Sequence, residues 1–130
     1  MKRLVLDLDN TLTIESNLPY AEKLPNYAVV EQCREYKRMG FEIIIFTARN
    51  MRTYNANNGK IAAKTLPLII DWLDKNEVPY DEIFIGKPWC GYDGFYVDDK
   101  AIRPSEFVAL SHEEILELIS RESQIGGERK

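Results

Sequence analysis

The sequence predicts an α/β domain, a mainly parallel central sheet with helices on both faces and so three layers. Three observations predict it. Short apolar runs alternate with segments of helical period, the pattern of βαβ units. The runs are almost continuously apolar, as strands buried on both faces are. Each run ends abruptly in polar or charged groups: Asp7 and Asp9, then Thr47, then Lys87, then Asp98 and Asp99.

Leu4–Leu6 is the first expected strand, closed by Asp7-Leu8-Asp9 and a turn at Asn10-Thr11. Residues 12–25 hold no clear period, and Pro19 and Pro25 make them a loop. A helix is expected from Pro25, which suits a first helical position, with Val29, Val30, Cys33 and Tyr36 on its buried stripe and Gly40 as its stop. Phe41–Phe46 is the second strand. Residues 51–60, rich in Asn and Gly, are a loop. A second helix follows, beginning near Ile61 and present over 67–76, with Pro67 as either its first turn or a kink. Its buried side is Ile69, Ile70, Trp72 and Leu73. The third strand is Glu82–Gly86, and the fourth is Phe95–Val97. Pro104–Leu110 holds a helical turn. Ser111 and Glu114 form a capping box that opens a last helix through about Arg121.

With 130 residues, one domain is expected over residues 1–122, with 123–130 a flexible tail. The net charge of −4, with acids spread along the chain, offers no footprint for nucleic acid or a membrane surface. Cys33 and Cys90 lie far apart in no metal-ligand pattern and read as reduced thiols, and the lone His112 makes no zinc site. The basic start Met1-Lys2-Arg3 precedes an apolar run cut short at Asp7, so it is no signal peptide, and no run is long enough for a bilayer. A cytoplasmic protein is expected.

Residues two apart in extended chain point the same way, so Asp7 and Asp9 face one side. Such a pair repels itself. It is either a strand running into a solvated acidic turn or a site for a cation, and Mg²⁺ suits it as a small hard ion that takes carboxylate, phosphate and water oxygens. In an open α/β sheet the carboxyl ends of the strands form the ligand crevice. Taken singly, Thr47 is a cap or turn residue, Lys87 a solvated lysine and Asp98-Asp99 a plain turn. Taken together, they deliver four acids, a hydroxyl and an ammonium to one edge, a set suited to phosphoryl transfer. Asp7 is then the nucleophile that forms an aspartyl-phosphate. Asp9 is the acid toward the leaving oxygen and then the base for water. Thr47 and Lys87 hold phosphoryl oxygens. Asp98 and Asp99 complete a Mg²⁺ site with Asp7 and the Asp9 carbonyl.

In order and spacing, Asp7-Leu8-Asp9-Asn10-Thr11, Thr47, Lys87 and Asp98-Asp99 resemble the four motifs of the haloacid-dehalogenase-like (HAD) phosphatases. That resemblance implies a three-layer, Rossmann-like fold, a phosphatase and a Mg²⁺ cofactor, with Asp99 as the direct metal ligand and Asp98 holding water or Lys87. The usual Gly before the Thr is Asn10 here, a residue that tolerates the left-handed backbone. Phe46–Thr53, Gly86–Gly91 and Tyr96–Pro104 further resemble the small cap-less members associated with capsular polysaccharide biosynthesis, which implies a sugar phosphate or related small phosphorylated metabolite.

Neither gap between motifs has room for a folded lid, so the site is expected to be open and partly covered by loops, a large substrate or a second copy in a homo-oligomer. The substrate-binding set is Thr47, Ala48, Arg49 and Lys87. Arg49, Asn50 and Arg52 could hold the leaving group, or Arg52 could form a surface ion pair. Trp89 and Tyr92 could stack on a sugar ring or serve as core or subunit contacts. Arg103 could pair with an acid near Asp99. A receiver-type signalling domain also uses acids, a Thr and a Lys, but its middle strand ends in an acceptor Asp, where this chain has Phe46-Thr47. A phosphoprotein phosphatase remains an alternative because an open site admits large substrates.

Overall fold

The computed structural model describes residues 1–128, with side chains to residue 122. The chain divides into two compact units, Met1–Trp89 and Cys90–Lys130.

The first unit is built on three strands: β1 (Arg3–Leu6), β2 (Glu42–Phe46) and β3 (Glu82–Phe84). They pair in the order β1-β2-β3, all parallel, with Val5 beside Ile44 and Ile44 beside Glu82. Ile43, Ile44 and Ile45 are all buried. Because consecutive strand residues point to opposite faces, β2 is covered on both, which is why it reads as an unbroken apolar run. β1 is at an edge, and its Val5 is 55% exposed. A parallel sheet with intervening helices is compatible with the Rossmann-like arrangement expected from the alternation.

A 3-10 turn at Tyr20–Glu22 precedes α1 (Tyr27–Arg38), which buries Val29, Val30, Cys33 and Tyr36. Gly40, at φ 93°, ends it in a Schellman turn, with Phe41 N–H donating to the Tyr36 carbonyl and Gly40 N–H to that of Lys37. The helix starts two residues later than expected. Pro25 belongs instead to an antiparallel bridge with Thr13, flanked by bonds from Ile14 N–H to Leu24 O and from Asn26 N–H to Leu12 O. That clip fixes Pro25 in extended chain, so Asn26 becomes the cap position.

The expected second helix is two: α2 (Asn58–Lys64) and α3 (Leu66–Lys75), joined at Thr65. Asn57 caps α2 by accepting from Lys60 N–H, so helix begins inside the expected 51–60 loop. Pro67 lies in the first turn of α3, where its missing N–H costs nothing. Trp72 is buried, and its indole N–H donates to the Lys23 carbonyl at 2.8 Å, tying α3 to the 12–25 loop.

The second unit contains α4 (Pro104–Ala109) and α5 (His112–Glu128). Phe107 and Ile115 are buried. The Ser111–Glu114 capping box forms in both directions, at 2.9 and 3.2 Å. α5 continues past Arg121 to Glu128, and the last two residues of the expected tail, 129–130, lie outside the described residues. The fourth strand is a correction: Phe95–Val97 is irregular chain, preceded by a turn at Gly91–Asp93. An apolar run becomes a strand only when a neighbouring edge accepts its backbone groups, and no ladder includes these residues.

Candidate active site

The site builds from the carboxyl ends of the three strands of the first unit. After Leu6 the chain turns at once, because the Leu8 carbonyl accepts from Thr11, Leu12 and Thr13 N–H at 3.3, 2.9 and 3.1 Å. Asn10 stands in the left-handed region at φ 62°, the conformation that Asn tolerates. Its N–H donates to Thr13 Oγ1 at 2.9 Å. This tight turn holds Asp7 and Asp9 on β1's end.

The two carboxylates have different partners. Asp7 lies 3.7 Å from Lys87 Nζ through Oδ1 and accepts from the Thr11 hydroxyl at 3.3 Å through Oδ2. Burial raises its pKa above the ordinary carboxylate value, and the Asp9 charge adds to the rise, while Lys87, the Leu8 N–H and Thr11 pull the other way. Asp9 is gripped by Arg49 at both oxygens, Nη2 to Oδ1 at 2.7 Å and Nε to Oδ2 at 3.2 Å. Arg49 is 5% exposed and lies 4.1 Å from the centre of the Tyr20 ring.

β2 delivers Thr47 and Arg49. Thr47 is buried, and its Oγ1 accepts from Arg49 N–H at 3.1 Å. Its N–H donates to Phe84 O and its carbonyl accepts from Lys87 N–H, so the parallel ladder is carried past the strands to Lys87. Gly86, at φ 85°, lets that happen: a Cβ there would meet Asn58 Oδ1 at 2.8 Å. Lys87 is thereby aimed at Asp7, with its Nζ 5.9 Å from the centre of the Phe46 ring. Ala48, next to Thr47, accepts from Met51 N–H through its carbonyl. Asn50, also left-handed at φ 62°, accepts from the Thr65 hydroxyl and donates to Thr53, so it braces the loop. Arg52 lies 5.7 Å from the Trp89 ring, and together with Met51, Asn55, Ala56 and Pro88 they line an open groove of about 450 Å³ beside Lys87.

Thus Asp7, Asp9, Thr47, Ala48, Arg49 and Lys87 all lie at the strand ends of the first unit. Asp98 and Asp99 belong to the second unit, where both are exposed and Asp98 Oδ1 accepts from Lys100 N–H in an Asx turn. Among the described residues, no group of three or more His, Cys, Asp or Glu side chains is gathered to hold a metal ion. The first unit still offers an oxygen-only pair, one member of which is driven to shed its charge by burial and by its neighbour. That fits Mg²⁺, which takes one or two carboxylates and fills its remaining positions with water and phosphate.

Sequence reasoning placed Arg49 on the leaving group and missed its fork on Asp9. The available signal was position: Arg49 follows a strand with a buried centre, where a guanidinium needs a carboxylate. Tyr20 as the lid of that pair had no signal, because it comes from a loop without period.

A crystal structure of a target protein from Vibrio cholerae is 59% identical to this chain, with a TM-score of 0.92, over 94% of this chain and 99% of that one. The chain belongs to the same family as that protein. Its fold is also similar to part of a chain in the Pnkp1/Rnl/Hen1 complex, at 22% identity and a TM-score of 0.50, over 84% of this chain and 34% of that one. No protein-family model matches the chain, and neither does any curated protein sequence. No described helix is long and apolar enough to cross a membrane.

Proposed function

We propose that the chain is a Mg²⁺-dependent phosphatase of the haloacid-dehalogenase-like type, hydrolysing a phosphomonoester of the sugar-phosphate or small-metabolite class through an aspartyl-phosphate on Asp7. The observation that carries this reading is the convergence of Asp7, Asp9, Thr47, Arg49 and Lys87 at the ends of three parallel strands, with Lys87 Nζ 3.7 Å from Asp7. In the first step an Asp7 oxygen attacks phosphorus, the bond to the leaving oxygen breaks, and Asp9 protonates that oxygen. In the second, water attacks the phosphorus of the aspartyl-phosphate, its proton passes to Asp9, and phosphate departs from a regenerated Asp7. Each Asp9 oxygen accepts one bond from Arg49 and has a second lone pair, so a proton can pass through Asp9 while the guanidinium holds the carboxylate in place. The Thr47 hydroxyl, which accepts from Arg49 N–H, keeps its own proton to donate. Mg²⁺ would be held by an Asp7 oxygen and the Asp9 carbonyl, and would supply charge neutralisation between the anionic nucleophile and the anionic substrate.

The open groove lined by Arg52 and Trp89 follows Lys87 in the chain and offers a place for the leaving group, with a guanidinium for an anionic group and a ring face for a sugar. The test is phosphate release with Mg²⁺ over sugar phosphates, nucleotides and phosphopeptides. Turnover on sugar phosphates is expected. Release from phosphopeptides alone points to a phosphoprotein phosphatase. A single phosphoryl group retained without turnover points to a receiver-like domain.

A further inference from the structure

We propose that Phe95–Val97 of one copy adds as a fourth, parallel strand to the outer edge of β1 in a second copy, so that each site is completed by Asp98 and Asp99 of the partner subunit. The role of those acids rests on the phosphatase reading, whereas the strand exchange stands on backbone and surface alone.

Four observations lead there. First, β1 pairs with β2 on one side only, and Val5 is 55% exposed in the middle of the strand. An edge strand presents backbone N–H and C=O groups to which a strand of another chain can add. Second, Phe95 and Val97 are 79% and 88% exposed, in a run of strand-forming residues that belongs to no ladder. Third, direction matters. Asp98 and Asp99 follow this run as Asp7 follows Leu6, so a parallel strand with Val97 beside Leu6 sets Asp98 beside Asp7. An antiparallel one would leave the acids near Arg3.

Fourth, the connection is too short for a chain to do this to itself. Lys87 is still bonded to Thr47 at the end of β2, so the whole connection to Phe95 is the seven residues Pro88–Gly94. They include a proline and two glycines and hold no helix. A parallel crossover takes about a dozen residues or more even between neighbouring strands. This one would have to return down the sheet and pass both β2 and β1, at about 4.8 Å per strand. A short connection that cannot fold back onto its own body is the condition under which two copies exchange an identical element about a two-fold axis.

The test uses full-length chains. Asp7→Asn and Asp99→Asn chains carrying different tags are co-expressed, and the hybrid is isolated beside the two parent forms. Both parents should be silent. The hybrid should recover about half of the wild-type phosphate release and bind about one Mn²⁺ per dimer, because one of its two sites joins an intact Asp7 to the other chain's Asp99. A hybrid as silent as its parents, with wild type active, would overturn the exchange and leave the phosphatase reading standing. A second measurement does not depend on activity. Val5→Cys with Tyr96→Cys, in a Cys90→Ala background, should oxidise to a covalent pair of chains of about twice the 15.1 kDa mass on a denaturing gel. A bridge within one chain, or none, overturns the proposal. The inter-chain bridge in a protein that releases phosphate from no substrate upholds the exchange and removes the phosphatase reading.

Discussion

Asp7 and Asp9 stand two residues apart on one strand end, and the protein treats them oppositely. Asp9 faces a guanidinium that satisfies both of its oxygens. Asp7 faces a lysine at 3.7 Å and a hydroxyl at 3.3 Å, too little to offset its burial. The difference teaches how one turn can supply two chemistries. On the proposed reading, the poorly compensated carboxylate is the nucleophile, and the well-compensated one is the acid and base that Arg49 holds in place.

The largest effect expected from disturbing this contrast is on turnover. Asp7→Asn removes the nucleophile, and phosphate release should fall at least about a thousandfold with circular dichroism unchanged. The same substitution at Asp9 should slow turnover as well and should also be felt by the fold. It strands the Arg49 guanidinium, which is 5% exposed, and urea titration should show a loss of about 2 kcal/mol, below the full cost of breaking a buried pair because Asp9 is itself partly exposed. Asp7→Asn should move stability the other way. The pKa of Asp7 is raised in the folded state, so the group favours folding while protonated, and that contribution is lost as pH rises through the raised value. The variant should therefore have a higher Tm than wild type at pH 7, with the gap closing as pH falls below the ordinary value of 3.8. Equal Tm values across that range would remove the asymmetry.

Two smaller changes sharpen it. Lys87 lowers the Asp7 pKa, so Lys87→Met should shift the acid limb of the kcat/KM profile to higher pH, beyond any general loss of rate. Thr11→Val removes one 3.3 Å bond to Asp7 and should lower kcat/KM by no more than about threefold.

The parts of this arrangement that were legible in the sequence are those set by local rules. The buried run Ile43–Ile45, the stripe Val29-Val30-Cys33-Tyr36 and the stop at Gly40 follow from period and from left-handed glycine. Asp7 and Asp9 stand on either side of the buried Leu8, and Asn10 takes the left-handed backbone its side chain permits. What was not legible depends on distant partners. The start of α1 is decided by Pro25 meeting Thr13, and the state of Asp9 by an arginine forty residues on. Phe95–Val97 has the composition of a strand, but a strand also needs a neighbour, and composition carries no information about one.

The clip between Leu12–Ile14 and Leu24–Asn26 has a consequence for how this scaffold diversifies. Its two ends are bonded to each other, and Trp72 anchors it at Lys23, so residues 15–22 leave and re-enter the fold at fixed points. Lengthening such a loop adds only about 0.6 kcal/mol of closure entropy per doubling. New shapes can therefore be grafted over Arg49 in place of Tyr20 while the turn that carries Asp7 and Asp9 keeps its register.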